Sequence, residues 1–236
     1  MTDDMPVSAE VLDAIGQLDT PTVCNALEVV IPQRRGWGYT TRPLVCARPD
    51  LPAIVGFART ATMAATHPSG RSGPDDLDWR VAYYRYMDEG PKPAITVIED
   101  LDDPPGFGAW WGEVHTNVHQ GLGSKGVITN GSIRDLPDNA DGFQLIAGSV
   151  GPSHAFNHGI EIGVTVTIHG MVVRHGDLIH ADQHGAVVIP PEVAADIPVA
   201  ATAIAARERV LIEAAQEPGF GWQDVARIIG GGSEPH

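Results

Sequence analysis

Three short segments concentrate residue types that could do chemistry: Trp111-Gly112-Glu113-Val114-His115, the run GVITNGSIRD from Gly126 to Asp135, and the run GDLIHADQHGAVVIP from Gly176 to Pro190. Asp135 follows Arg134 directly after an apolar, strand-like stretch. One carboxylate at a strand end can anchor Mg2+ or Mn2+, hard ions that prefer oxygen and keep several waters. A small 2-oxo acid could chelate such an ion through its carbonyl and carboxylate oxygens, and the ion would stabilise the enolate formed when a C–C bond breaks. An adjacent arginine can grip a carboxylate through two parallel hydrogen bonds. A helix beginning at Gly112-Glu113 would offer free N–H groups to an anion. Alone, an Arg-Asp pair after a strand also reads as a turn or a solvated ion pair, and Glu113 as a favourable charge at a helix N-terminus.

Other constellations carry less. Histidines recur at i,i+4 as His115/His119, His154/His158 and His180/His184. Such a pair binds zinc when both rings share a helix face, yet only the first pair falls in a helical stretch, and no metalloprotease glutamate follows His115. His115 reads either as a pocket-lining proton carrier or as a solvent-facing helix residue. Asp177 and Asp182 read as turn-shaping residues. The run Gly121-Leu122-Gly123-Ser124-Lys125-Gly126 lacks the ending of a phosphate loop and reads as a helix C-terminal turn.

Composition narrows the chemistry. A formal net charge of −15 disfavours nucleic acid as a partner, so an anionic substrate needs local positive charge from a metal or an arginine. Lys92 and Lys125 are the only lysines. Lys92 stands between two prolines and Lys125 in a glycine-rich turn, so neither suits Schiff-base catalysis, which needs a desolvated amine. Two cysteines make no disulfide framework, which points to a reducing compartment. The N-terminal MTDDMPVSAE lacks the features of a signal peptide, and no stretch approaches the roughly 20 apolar residues of a membrane span. A cytoplasmic protein with no membrane partner is expected.

The elements that must position these residues follow from patterning. Residues 8–18 and 20–30 read as helices, the second capped at Thr20 with Pro21 in its first turn. Residues 54–64 alternate and read as a strand. A helix is expected over 75–88, a strand over 95–98, a helix over 112–121, and a strand over 126–129 closed by Asn130-Gly131, with residues 132–138 turning away. A strand over 143–150 precedes a β-rich block at 162–168, 171–174, 177–181 and 185–190. An alanine-rich helix over 192–215, another over 220–229 and a loose tail at 230–236 complete a mixed, layered α/β chain.

These segments resemble the 4-hydroxy-4-methyl-2-oxoglutarate aldolase family, which includes the regulators of ribonuclease activity A. The likeness rests on the glycine-acid pair Gly112-Glu113, the Gly131…Arg134-Asp135 element, Gly176-Asp177…Ala181-Asp182, and, more weakly, Thr22 to Leu27. It covers roughly residues 10–215. The resemblance implies a single aldolase-like domain over 1–236, folded as an αββα sandwich resembling the swivelling phosphohistidine-like fold. It implies Asp135 on the metal, catalytic roles for Arg134 and Glu113 (Glu113 holding a metal-bound water), and substrate binding by Gly112, Val114, His115 and Arg134. It also implies a homotrimer or homohexamer in which a C-terminal carboxylate, Glu208 or Glu213, enters a neighbouring site. The reactions implied are retro-aldol cleavage of a 4-hydroxy-2-oxo acid, releasing pyruvate, and decarboxylation of an oxaloacetate-like acid. A non-enzymatic regulator of an RNA-processing protein, or hydrolysis or isomerisation through the same enolate, are the alternatives. Asn130, His115-Thr116-Asn117 and Ser153–His158 depart from the family pattern, and they bear on the substrate more than on the metal chemistry.

Overall fold

The computed structural model describes residues 7–231. Residues 1–6 and 232–236, which hold most of the acidic N-terminal stretch and most of the expected tail, lie outside the described residues. The chain begins with two helices, α1 (Ala9–Gly16) and α2 (Thr20–Val30). Asp19, one residue earlier than expected, caps α2 by accepting a hydrogen bond from the Thr22 N–H. Thr20 is instead the first helical residue, and its N–H donates to Asp182.

A sheet follows: β1 (Val45–Cys46), β2 (Ile54–Ala64), β3 (Ala94–Asp100), β4 (Ala109–Trp111), β5 (Ser124–Ile133), β6 (Gln144–Val150), β7 (His158–Ile162), then the hairpin β8 (Val166–Ile168) and β9 (Met171–Val173), and finally β10 (Leu178–Asp182) and β11 (Gly185–Ile189). The order is β1-β6-β5-β3-β2-β10-β11, with β4 beside β5 and β7 beside β2, while β8 and β9 pair only with each other. Strands β2, β3, β5 and β6 run parallel, as does β4 with β5. The helices α3 (Gly73–Asp88) and α4 (Glu113–Gly121) interrupt the strands, and α5 (Ile197–Ala215) and α6 (Trp222–Gly230) close the described chain.

Three apolar clusters hold these layers together. Leu12, Ile15, Val23 and Leu27 of the first two helices meet Ala200, Ala201 and Ile204 of α5 over Phe57, Leu178 and Ile189. Tyr83 and Met87 of α3 pack with Trp111, Val127, Ile133, Phe143 and Leu145. The β8–β9 hairpin covers Ile95, Val97, Ile128, Ile146 and Ile179. Covering on both faces explains why β2 is buried along nearly its whole length. The expected alternation therefore does not mark a half-exposed strand: Arg59, Thr60 and Thr62 are buried too, as happens where a sheet is covered on both sides.

Several elements differ from expectation, among them the expected strand over 162–168, which is the end of β7 and all of β8 with a bend between them. Strand β5 does not close at Asn130-Gly131 but continues to Ile133, with a register shift against β6 between Thr129 and Ser132. The Asn-Gly signal marks a bulge there, not an end. The expected helix over 192–215 is split into a 3-10 segment, Pro191–Asp196, and α5. Pro198 stands in the first turn of α5, where a missing N–H costs least, so it marks the start of the regular helix. β1 and β4 are two and three residues long, too short for a periodic pattern to reveal. The chain is thus a mixed α/β fold.

Candidate active site

Strands β4 and β5 are parallel neighbours, with Trp111 opposite Ile133, so the segments that follow them emerge side by side. Beyond Trp111, Gly112 caps the start of α4. Beyond Ile133, the chain enters the Arg134-Asp135 turn, and the Arg134 N–H donates to the Trp111 carbonyl at 2.8 Å. Asp135 has φ of 53°, the left-handed region that Asp and Asn tolerate better than other side chains. Its carboxylate turns onto the helix start: the Glu113 N–H donates to Asp135 Oδ2 at 3.3 Å. A Cβ at Gly112 would collide with that same oxygen. Glycine at 112 is what lets the carboxylate approach the helix N-terminus, where free N–H groups and the helix dipole favour negative charge.

Arg134 Nε lies 3.7 Å from Asp135 Oδ2, and both side chains are about one-third exposed, at 36% and 34%. Asn139, not singled out in the sequence, and Thr116, noted there only as part of a polar departure, hold this turn. Asn139 is buried; its Nδ2 donates to the Arg134 carbonyl at 2.9 Å, and its N–H donates to the Asp135 carbonyl. Thr116 Oγ1 lies 3.4 Å from Asn139 Oδ1 and accepts from the Ala140 N–H. Neither residue carries a motif, since their role depends on a return of the chain that local patterning does not encode.

Arg134 and His115 line a cavity of about 460 Å3 together with Trp79, Arg80, Tyr84, Trp110 and residues of the His154–Gly159 segment. The unusual 153–158 segment thus does reach the pocket. The signal for the α3 wall was present as the i,i+4 ring pair Trp79/Tyr83, which stacks at 5.3 Å. His115 faces the cavity rather than bulk solvent. Burial, then the Arg80 and Arg134 charges, push its pKa down to about 4. Its Nδ1 is shielded and has no hydrogen-bond partner.

The other marked residues have structural partners. His119 is fully buried: its Nδ1 lies 2.7 Å from the His115 carbonyl and its Nε2 2.7 Å from the Tyr83 hydroxyl, so neither nitrogen is free for a metal. His180 pairs with Thr20 Oγ1 and the Leu18 carbonyl, while His184 pairs with Asp182. Asp182 accepts from the Thr20 and His184 N–H groups, and Asp177 from the Arg174 N–H; both shape turns. Asn130 accepts from the Asp100 N–H and donates to the Asp100 carbonyl, so it joins strand ends instead of facing the pocket. Lys92 donates to the Met87 and Leu122 carbonyls, and Lys125 lines a different cavity with Leu12 and Pro93.

Among the described residues, no group of three or more His, Cys, Asp or Glu side chains is placed to hold a metal ion. The local donors are the Asp135 carboxylate and, on the adjoining first turn of α4, the exposed Glu113. That set fits a hard ion that keeps most of its waters, not a zinc site closed by protein ligands.

A family model described as RraA-like, Aldolase/RraA, matches residues 20–188. No curated protein sequence matches the chain. Among solved structures, a protein of Pseudomonas syringae pv. tomato is 23% identical with a TM-score of 0.69, over 93% of this chain and 98% of that one. Streptomyces coelicolor RraAS2, described as an unusual member of the RNase ES inhibitor RraA family, is 20% identical with a TM-score of 0.65, over 89% and 98%. The RNA-processing inhibitor RraA of Thermus thermophilis is 18% identical with a TM-score of 0.51, over 70% and 90%. At these identities the likeness speaks to the fold alone.

Proposed function

The chain belongs to the RraA-like, Aldolase/RraA family, and from that premise we propose that it is a divalent-metal-dependent carbon–carbon lyase acting on a 2-oxo acid. One observation supports this reading above the rest: Arg134 and Asp135 share a turn at the start of α4, and Arg134 opens onto a cavity. Asp135 would hold Mg2+ or Mn2+, and Glu113 one of its waters. The ion, when bound, would supply the positive charge that makes an enolate accessible.

The protein's own groups do the rest. Arg134 grips the substrate carboxylate, assisted by the main-chain N–H groups of Val114 and His115 at the helix start. Gly112 keeps the space in which Asp135 and substrate meet. The ring-lined wall excludes water. We assign His115 the proton of the substrate hydroxyl. Its Nδ1 is shielded, which leaves Nε2 as the nitrogen for exchange, and its lowered pKa keeps the ring neutral. The same groups serve decarboxylation of an oxaloacetate-like acid, because both reactions pass through a pyruvate enolate.

We extend the reading to the assembly. Val199, Val210 and Ile212 of α5 and Trp222 of α6 are exposed, and such apolar surface suits the trimer or hexamer the family implies. Helix α5 packs on α1 and α2, so Glu208 or Glu213 would serve a neighbouring copy's site. We carry the αββα sandwich likeness, the single-domain organisation and a cytoplasmic setting on the same footing. Among the described residues, no helix is long and apolar enough to cross a membrane.

The RNA-processing inhibitors among the fold neighbours support a second reading, a non-enzymatic regulator. A panel of 2-oxo acids assayed with Mg2+, Mn2+ or a chelator separates the two. Metal-dependent release of pyruvate is expected. Turnover that survives exhaustive chelation, or borohydride trapping of substrate on Lys125, would overturn the metal mechanism; no turnover of any acid would favour the regulator.

A further inference from the structure

We propose that the substrate carries an aromatic group at the carbon distal to its 2-oxo acid end, seated between α3 and β4. This deepens the lyase reading above and rests on it. The cavity of about 460 Å3 is ample for a small-molecule ligand. Arg134 stands in its lining with the ring-bearing residues Trp79, Tyr83, Tyr84 and Trp110.

These rings are fixed before any ligand arrives. Tyr83 is fully buried, stacks on Trp79 at 5.3 Å and meets Trp110 edge-on at 6.0 Å. Its hydroxyl is tied to His119 Nε2. Trp79 fits over Gly159, where any Cβ would collide with the indole. Trp110 meets His115 edge-on at 5.3 Å. A short aliphatic diacid has no surface that would profit from such walls, whereas a phenyl ring has two faces and an edge. Arg80, His154, Asn157 and His158 also line the cavity and would welcome a second carboxylate instead, which makes the diacid the competing occupant.

For a 4-aryl-4-hydroxy-2-oxo acid the step balances without a further reactant. The C4 hydroxyl gives up its proton and the C3–C4 bond breaks. The bond's electron pair passes to the enolate of pyruvate, C4 leaves as the aryl aldehyde, and C3 takes a proton to complete pyruvate.

The test compares 4-hydroxy-2-oxo-4-phenylbutanoate with 4-hydroxy-2-oxoglutarate as substrates in the presence of Mg2+, and measures phenylpyruvate binding by calorimetry. The aryl acid should show the higher kcat/KM, and phenylpyruvate should bind more tightly than pyruvate. Tyr84→Ala and Trp79→Leu should each lower the aryl-to-diacid kcat/KM ratio by about threefold to tenfold, the size of an aromatic pair contact. Preference for the diacid, with the ratio unmoved by both substitutions, would sink the aryl assignment and leave the lyase standing. Tight phenylpyruvate binding with no turnover of either acid would do the reverse. Neither turnover nor binding would remove both.

Discussion

The main-chain N–H of Glu113 donates to Asp135 Oδ2, joining the first turn of α4 to the turn after β5. Gly112 makes that contact possible, because a side chain there would occupy the carboxylate's place. Gly112→Ala should therefore displace Asp135 and weaken Mg2+ binding by about tenfold or more, as the displacement of a supporting group does at metal sites. Calorimetric titration of Mn2+ or Mg2+ into both proteins checks it. Since φ at Gly112 is −157°, backbone conformation is not the obstacle, and unchanged affinity would mean the carboxylate does not bind the ion where it now lies.

Arg134 and Asp135 should separate in their effects. Asp135→Ala should abolish metal binding and turnover together. Arg134→Ala should leave the metal bound but lower kcat/KM by roughly 100- to 1000-fold, the usual cost of losing a charged donor in a sheltered site. Arg134→Lys should restore only part of this, because an ammonium lacks the planar fork. Loss of metal in the arginine variant with retention in the aspartate variant would reverse the roles.

Asn139 ties both main-chain carbonyls of the Arg134-Asp135 turn, one through its side chain and one through its N–H. Asn139→Ala should leave the part-buried Arg134 carbonyl without this partner and cost about 1–3 kcal/mol of stability. It should also lower activity at temperatures where the variant is fully folded. Denaturant unfolding and assays on the same samples would show whether the two losses occur together; full activity in a destabilised variant would make Asn139 a matter of fold alone.

Much of this was legible in the chain. The Arg134-Asp135 pair and Gly112-Glu113 are separated by 22 positions in sequence between Glu113 and Asp135, yet each lies where an apolar run ends, so strand ends and a helix start could be read locally. The element types along the chain follow likewise from short β-branched runs and helical spacing. What escaped was whatever depends on partners distant in sequence. Asn130 looked like a pocket substitution, but its amide both accepts from and donates to the Asp100 main chain. Strand β2 was read as a strand from its alternation, but its burial on both faces depends on neighbours that could not be inferred. The α3 wall of the pocket escaped because a helix rich in charge and rings has no clear apolar side.

Asn130 yields a prediction of its own. A carboxylate at this position could accept from the Asp100 N–H but could not donate to the Asp100 carbonyl while ionised. Asp100 is buried, and burial raises its pKa; a second negative charge beside it would add repulsion. Asn130→Asp should destabilise the protein by about 1–3 kcal/mol near neutral pH, with the deficit shrinking as pH falls toward the carboxylate range. A thermal melt series over pH tests this, and a variant as stable as the parent at neutral pH would show that the strand ends rearrange.

The stability of the protein should fall on acidification before its carboxylates titrate, because of His119. Burial pushes the His119 pKa down to about 3, from an ordinary value of 6.5. In the folded state the ring is locked between the His115 carbonyl and the Tyr83 hydroxyl, and its burial beside His115 disfavours the charged form. The unfolded chain takes up a proton near pH 6.5 while the folded chain does not, so between those values stability rises with pH. The contribution is complete above about pH 6.5 and is lost progressively as pH falls toward 3. His115, His175 and His180, also lowered by burial, add to the same slope, whereas Asp100, raised by burial, opposes it at the acidic end. Melting temperature should therefore drop from about pH 7 to about pH 4.5. His119→Gln can still accept from Tyr83, so it should lose stability at neutral pH yet show a shallower decline. A decline of equal steepness in the variant would mean that His119 is not among the groups that drive it.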